Sequence, residues 1–114
     1  MARIKYSAAA LLDLERIGDY IAEELKSPAA ALNTVNSIQD AIDKLADFPR
    51  SGSPLSARYE DVGDYRFLVC GNYLAFYRER AEEVHIDRIL YGKRDCVRIL
   101  FGKLTEYDEL DPTE

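Results

Sequence analysis

The residues best suited to chemistry lie at the start of one predicted strand and just after another. Arg66 opens an apolar run, and Tyr91, Lys93 and Arg94 belong to the polar segment YGKRD at 91–95. Metal-free RNA cleavage needs a proton acceptor, cations that stabilise a charged phosphorane, and an acid for the leaving oxygen. Guanidinium groups can hold two phosphate oxygens at once, so these cations are candidate phosphate ligands.

Each cation also has a plain structural interpretation. Arg66 could pair with a nearby acid such as Asp64, and the cations at 93 and 94 with Asp95 in a solvated turn. The residue types alone leave both interpretations open.

Tyr91 and His85 are the candidate acid–base groups of this region. A phenol is a poor base near neutral pH unless nearby cations favour its ionised form, although it can stack on a base or orient a phosphate. Tyr91 could equally be a half-buried strand residue. His85 is the sole histidine, and it lies roughly 20 Å from Tyr91 along an extended chain. We therefore predict a structural role for His85.

Length and composition indicate one small globular domain. The chain has 114 residues, of which 47% are hydrophobic and 32% charged. No apolar run approaches the ~20 residues of a membrane span, and Asp13 and Glu15 interrupt the stretch where a signal peptide needs an apolar core. We expect a cytoplasmic protein. Cys70 and Cys96 lack clustered ligand partners, which predicts reduced structural thiols and neither a metal nor a cofactor.

Charge divides the chain into a body, 1–104, and an acidic tail, 105–114. The tail holds five acids and no base, whereas residues 65–104 hold eight bases against five acids, within a net charge of −6. A near-neutral body with an acidic tail is poorly suited to gripping a phosphate backbone.

Hydrophobic spacing predicts the elements that position these residues. Ser7 caps a helix over about 8–26, and Ser27-Pro28 starts a second helix that ends before the irregular loop 49–64. The helical stripes contain Leu11, Leu14, Ile17, Tyr20, Ile21 and Leu25, then Leu32, Val35, Ile38, Ile42 and Leu45. A strand precedes the first helix, and three strands and a short helix follow the loop.

The predicted fold is α+β: two layers, with the helical hairpin on one face of a small antiparallel sheet and the other face open. The aromatic residues Tyr65, Phe67, Tyr73, Phe76 and Tyr77 are expected in the core. Strict alternation in VHIDRILY places Arg88 on one face with Val84, Ile86 and Leu90. Either this strand bulges, or that face is not the core face.

The pattern as a whole resembles the RelE/ParE superfamily of bacterial toxins from type II toxin-antitoxin modules, over residues 2 to about 102. The resemblance is carried by the helical hairpin ending in FPRSGSPL, by Arg66 at the start of YRFLVCGNYLAFYR, and by the closing RILYGKRD. It implies a microbial ribonuclease-like fold of order β-α-α-β-β-β-α.

The resemblance implies a toxin that arrests growth and is neutralised by a cognate antitoxin whose extended segment wraps around it. RelE-like members enter the ribosome and cleave mRNA, whereas ParE-like members bind and poison DNA gyrase. The expected activity is ribosome-dependent mRNA cleavage. The alternatives are gyrase poisoning, or an inactive relative that retains antitoxin binding.

The catalytic set implied by the resemblance is Arg66, Tyr91, Lys93 and Arg94. Arg66 matches an arginine of the cleaving members, and Lys93 and Arg94 match the basic residues after the last strand. Tyr91 stands where several members carry histidine, which weakens the prediction of an enzyme.

Overall fold

The computed structural model describes residues 1–92 and 95–101. Its helices and strands are β1 (Arg3–Tyr6), α1 (Ala8–Glu24), α2 (Pro28–Asp43), β2 (Ser53–Pro54), β3 (Arg66–Cys70), β4 (Tyr73–Arg80), β5 (Glu83–Tyr91) and α3 (Cys96–Leu100). The predicted element order is confirmed, with the two-residue strand β2 added inside the predicted loop. The acidic tail and the cations at 93 and 94 lie outside the described residues.

Local capping defines the helical hairpin as the sequence predicted. The Ser7 Oγ accepts a hydrogen bond from the Ala10 N–H at 2.9 Å, and the Ser27 Oγ accepts one from the Ala30 N–H at 3.1 Å. Helix α1 ends at Glu24, two residues earlier than predicted. Lys26 has a φ of +49°, and this left-handed conformation cannot continue a right-handed helix.

The five strands form one sheet in the order β1-β5-β4-β3-β2. Strand β1 pairs in parallel with β5, whereas the other pairs are antiparallel. The α+β class is therefore confirmed, but the sheet is mixed and not purely antiparallel. Pairing between chain segments this far apart depends on the packing of the intervening helices, which the strand pattern does not encode.

Strand β5 bulges at Asp87, which confirms the first of the two alternatives predicted for this strand. Phe76 pairs with Arg88 and Tyr77 with Ile86, so Asp87 has no residue opposite it. The extra residue shifts the alternation of the strand. Ile86 and Ile89 consequently belong to the core beneath the helices, and Leu90 belongs to a cluster on the other face.

The sheet is covered on both faces, although unequally. The larger core lies between the helical hairpin and the sheet, and its fully buried side chains include Ile42, Leu45 and Tyr77. A second cluster around Phe76 and Leu90 lies on the opposite face, where α3 packs against it. That face is therefore less open than the sequence predicted.

Only some residues of each apolar helical stripe are buried in the core. Leu14 and Ile38 are buried, whereas Leu11, Tyr20, Leu25 and Leu32 each expose more than half of their surface. Within the described part of the chain, no helix combines the length and the apolar character that crossing a membrane requires. Tyr20 and Leu25 of the first stripe border a groove between the helices and the sheet.

Candidate protein-binding groove

Tyr91 lies where the ends of the three central strands meet the helical hairpin. It pairs with Tyr73 of β4, which in turn pairs with Cys70 of β3. The rings of Tyr73 and Tyr91 are 5.7 Å apart between centroids, in an edge-to-face arrangement. Gly71, with a φ of +63°, makes the tight β3–β4 turn that the sequence predicted.

A groove with a volume of about 990 Å³ opens between this end of the sheet and the two helices. Its lining residues are Arg16, Ile17, Tyr20, Ile21 and Leu25 from α1, Asn33, Thr34, Ser37 and Ile38 from α2, and Cys70, Gly71, Asn72, Tyr73 and Tyr91 from the sheet. We call it the tyrosine groove. Among the described residues that line it, Arg16 alone carries a charge.

The composition of the tyrosine groove is typical of a protein-binding surface. Tyrosine and arginine are enriched among the residues that contribute most to binding energy, because each combines a large contact area with hydrogen-bonding groups. Tyr20 is 62% exposed and Leu25 is 65% exposed. A partner segment with apolar side chains could bury both without any rearrangement of the core.

Two of the groups that line the groove, Tyr73 and Cys70, are held in their neutral forms. Burial raises the pKa of Tyr73, and the neighbouring Tyr91 and Tyr20 raise it further. Burial also raises the pKa of the Cys70 thiol to about 11, and this thiol donates to the Leu68 carbonyl at 3.7 Å. Neither group is suited to act as a base or a nucleophile at neutral pH.

Arg66 lies at the opposite end of the sheet and binds the backbone. Its Nη1 donates to the carbonyl oxygens of Gly52, at 2.7 Å, and of Arg50, at 3.3 Å. The neighbouring Tyr77 hydroxyl donates to the Pro49 carbonyl at 2.8 Å and accepts from the Gly52 N–H at 3.0 Å. Arg66 and Tyr77 thus anchor the loop that precedes β2.

The structure does not bring Arg66 and Tyr91 together. Arg66 pairs with Tyr77 and Tyr91 pairs with Tyr73. These two positions on β4 lie roughly 13 Å apart, and two strand spacings of about 5 Å each add to the separation. Lys93 and Arg94 lie outside the described residues. A catalytic role for this set remains a prediction.

Asp64 and His85 have partners among the described residues. Asp64 pairs with Arg80 at 2.6 Å, not with Arg66, and the Arg80 guanidinium lowers the pKa of Asp64. His85 lies 2.9 Å from a Glu83 carboxylate oxygen. Within residues 1–92 and 95–101, no three potential metal ligands come together.

A polar cluster that the sequence pattern did not indicate lies on the face of the sheet opposite the helices. The Tyr65 hydroxyl donates to Asp87, Arg78 pairs with the same carboxylate at 3.0 Å, and the Arg78 guanidinium lies 4.6 Å from the Tyr65 ring centroid. Burial, and then the hydrogen bond to Asp87, raise the pKa of Tyr65 to about 12. The bulge turns Asp87 toward this cluster, and the sequence left that bulge undecided.

Comparison with known proteins agrees with this fold. Residues 4–96 match the family model for the ParE toxin of type II toxin-antitoxin systems, parDE. A solved chain from the chromosomal ParDE TA system of P. aeruginosa superposes with a TM-score of 0.68 at 26% identity, covering 80% of this chain and 96% of that one.

A putative toxin of Sinorhizobium fredii, Y4kP, is 44% identical over 52 residues, which is 46% of this chain and 52% of that protein. The chain thus spans about half the length of this curated relative. The family match covers most of the chain, from the first strand to the start of the last helix. The protein therefore belongs to the ParE toxin family of type II toxin-antitoxin systems.

Proposed function

We propose that the protein is a growth-arresting toxin that acts by binding DNA gyrase, and that a cognate antitoxin neutralises it. Membership of the ParE family supports this assignment, since ParE-like members of the superfamily poison gyrase by binding. Gyrase binding takes precedence here over mRNA cleavage, which the sequence alone favoured.

The observation that carries the proposal is the character of the tyrosine groove around Tyr91. Three tyrosines line it, and Arg16 is the one charge among its described lining residues. An active site for RNA cleavage needs an acid–base pair next to several cations. The groove instead offers aromatic and aliphatic surface of the kind that proteins bury when they associate.

The environment of Arg66 adds a second argument. Its guanidinium binds two backbone carbonyls, so it would have to release them in order to hold a phosphate in two-pronged fashion. Its loss should therefore loosen the loop around Gly52 and should have little direct effect on target binding.

The test combines growth with two molecular readouts. Induced expression without the antitoxin should stop bacterial growth, induce the DNA damage response and leave translated messages intact. The purified protein should inhibit supercoiling by gyrase. New mRNA 5′ ends within minutes of induction, with supercoiling unaffected, would instead establish the cleaving activity. Normal growth at verified levels of folded protein would exclude an active toxin.

Substitution in the groove makes this test specific. Tyr20→Ala removes a 62% exposed side chain and should weaken gyrase inhibition by about tenfold or more, as loss of a central interface tyrosine does. Tyr59→Ala is the matched control, since Tyr59 is 48% exposed and does not line the groove. Equal effects of the two substitutions would argue against the groove as the binding site.

Co-expression of the cognate antitoxin should relieve the arrest. An antitoxin that covers the tyrosine groove should also protect Tyr20 from surface-labelling reagents in the purified complex. Labelling of Tyr20 at the same rate in the free toxin and in the complex would place the antitoxin elsewhere.

A further inference from the structure

The segment between α2 and β2 places a phenylalanine on the surface of the protein. Phe48 is 69% exposed, although Leu45, three residues earlier, is fully buried. We call residues 47–51 the aromatic loop. The loop lies beside Arg66 and Tyr77, at the end of the sheet away from the tyrosine groove.

Hydrogen bonds hold the backbone of the aromatic loop in place. The carbonyl oxygen of Phe48 accepts from the backbone N–H three residues later at 3.0 Å. The Pro49 carbonyl accepts from the Tyr77 hydroxyl at 2.8 Å, and the Arg50 carbonyl accepts from Arg66 Nη1 at 3.3 Å. Three consecutive carbonyl groups therefore have partners within the protein, and one of these partners, Tyr77, is a fully buried side chain.

Gly52 fixes the position where the aromatic loop meets the sheet. A Cβ atom on this residue would lie 2.5 Å from the Tyr77 hydroxyl oxygen and 2.7 Å from the Phe67 carbonyl oxygen. The backbone thus passes too close to the sheet for any side chain larger than hydrogen. A loop that is already ordered loses little conformational entropy when it binds a partner. The fold therefore presents Phe48 on a preorganised backbone.

The side chains of Phe48 and Arg50 contribute little to the stability of the fold. The Arg50 side chain is 77% exposed, and its ion pair with Glu79 joins Nε to a carboxylate oxygen at 3.3 Å. Exposed ion pairs of this kind stabilise a fold only weakly. Aromatic and arginine side chains are, in contrast, enriched in protein interfaces. The aromatic loop offers one of each, two residues apart.

The shape of the aromatic loop selects among possible occupants. An exposed ring on an ordered backbone is buried by a pocket, and a pocket requires a folded partner. An extended antitoxin segment follows a groove instead and offers no pocket. A twofold contact centred on the loop would bring the Arg50 side chains of two copies together. A cavity of about 560 Å³ adjoins Phe48, lined by the loop and by Glu79, so the rim of a partner's pocket has space to close around the ring.

We infer that the aromatic loop is a second contact between the toxin and gyrase. Phe48 enters an apolar pocket of the enzyme, and Arg50 pairs with a carboxylate at the rim of that pocket. The inference rests on the proposed function, since it takes gyrase as the target. It adds a contact at the end of the sheet away from the tyrosine groove, and this contact does not involve the antitoxin.

The test uses purified gyrase as the probe, with inhibition of supercoiling and the affinity of the full chain for immobilised gyrase as readouts. Phe48→Ala should raise the concentration for half-maximal inhibition and the Kd by about tenfold or more, as loss of a central interface aromatic does. Arg50→Ala should have a smaller effect and should reduce the dependence of binding on salt. Because both side chains are exposed, the urea midpoint of each variant should be unchanged.

Val69→Ala is the control, because Val69 is a 62% exposed apolar residue on β3 that lines neither the tyrosine groove nor the cavity beside Phe48. It should leave inhibition unchanged. The affinity of Phe48→Ala for the cognate antitoxin should stay within about threefold of that of the unmodified chain, since an extended segment does not need the loop.

The inference alone is overturned if the unmodified chain inhibits gyrase and Phe48→Ala inhibits it equally well, or if Val69→Ala weakens inhibition as much as Phe48→Ala. It is also overturned if Phe48→Ala weakens antitoxin binding by the same factor as gyrase binding, or if it dissociates a dimer of the chain in light scattering. The loop would then contact the antitoxin or a second copy. Failure of the unmodified chain to bind gyrase would overturn the proposed function, and this inference with it.

Discussion

The ion pair between Asp13 and Arg88 fastens α1 to the bulged strand, and its removal should destabilise the fold. Asp13 is 6% exposed and accepts from Arg88 Nε at 2.8 Å, Arg88 Nη2 at 2.9 Å and the Ile89 N–H at 2.9 Å. Asp13→Ala removes the two carboxylate oxygens that accept these three hydrogen bonds. Breaking a fully buried pair costs about 3–5 kcal/mol.

The expected cost here is smaller, because the Arg88 side chain is 26% exposed and solvent compensates it in part. We expect the free energy of unfolding to fall by about 2–4 kcal/mol, a large share of the roughly 5–15 kcal/mol of a typical domain. Urea unfolding followed by circular dichroism should show the midpoint lowered by about 1–2 M at an unchanged slope.

Two further variants test whether the loss of stability comes from the burial of this ion pair. Arg3→Ala breaks an ion pair with Glu83 in which the Arg3 side chain is 72% exposed, and it should cost less than about 1 kcal/mol. Asp13→Leu combined with Arg88→Met replaces both charges with apolar side chains and should recover much of the loss. A loss below about 1 kcal/mol for Asp13→Ala, at an unchanged slope, would refute the reasoning.

Two other predictions concern Tyr77 and Cys70. Tyr77→Phe removes a hydroxyl that donates to the Pro49 carbonyl and accepts from the Gly52 N–H. Because these polar groups are left without that partner, the free energy of unfolding in urea should fall by about 1–3 kcal/mol. An unchanged urea midpoint would contradict this. Burial raises the pKa of the Cys70 thiol from 9.0 to about 11, so the folded state favours the neutral thiol. That contribution to stability is complete below pH 9.0 and is lost as the pH rises through about 11. In a Cys96→Ala background, alkylation of native Cys70 near pH 8 should be about 100-fold slower than in urea, and a difference of less than tenfold would show that the thiolate is accessible.

Local patterns determined the elements because their causes lie within a few residues. Ser7 and Ser27 cap their own helices, and Gly71 supplies the positive φ of its own turn. The core assignments of Phe76 and Tyr77 were confirmed for a related reason, since a small domain must bury its large side chains. The element order, together with the resemblance, then led to the ParE toxin family.

The tertiary structure decided how distant segments meet. The parallel pairing of β1 with β5 and the bulge at Asp87 both depend on packing between elements far apart in the chain. Arg66 illustrates the consequence for the candidate site. Its residue type indicated phosphate binding, but its partners are backbone carbonyls of a loop 14 to 16 residues earlier.

The same distinction applies to the surfaces. Hydrophobic spacing placed Leu11, Tyr20 and Leu32 on apolar stripes, and it could not tell the side that meets the sheet from the side that remains exposed. The packing of the hairpin against the sheet settles that choice, and it leaves the tyrosine groove open at one end of the sheet. The sequence by itself thus determined the elements and the family, because these follow from local preferences and from their order. Only the tertiary structure decided which apolar side chains remain available to a partner, because burial depends on contacts between segments that are distant in the chain.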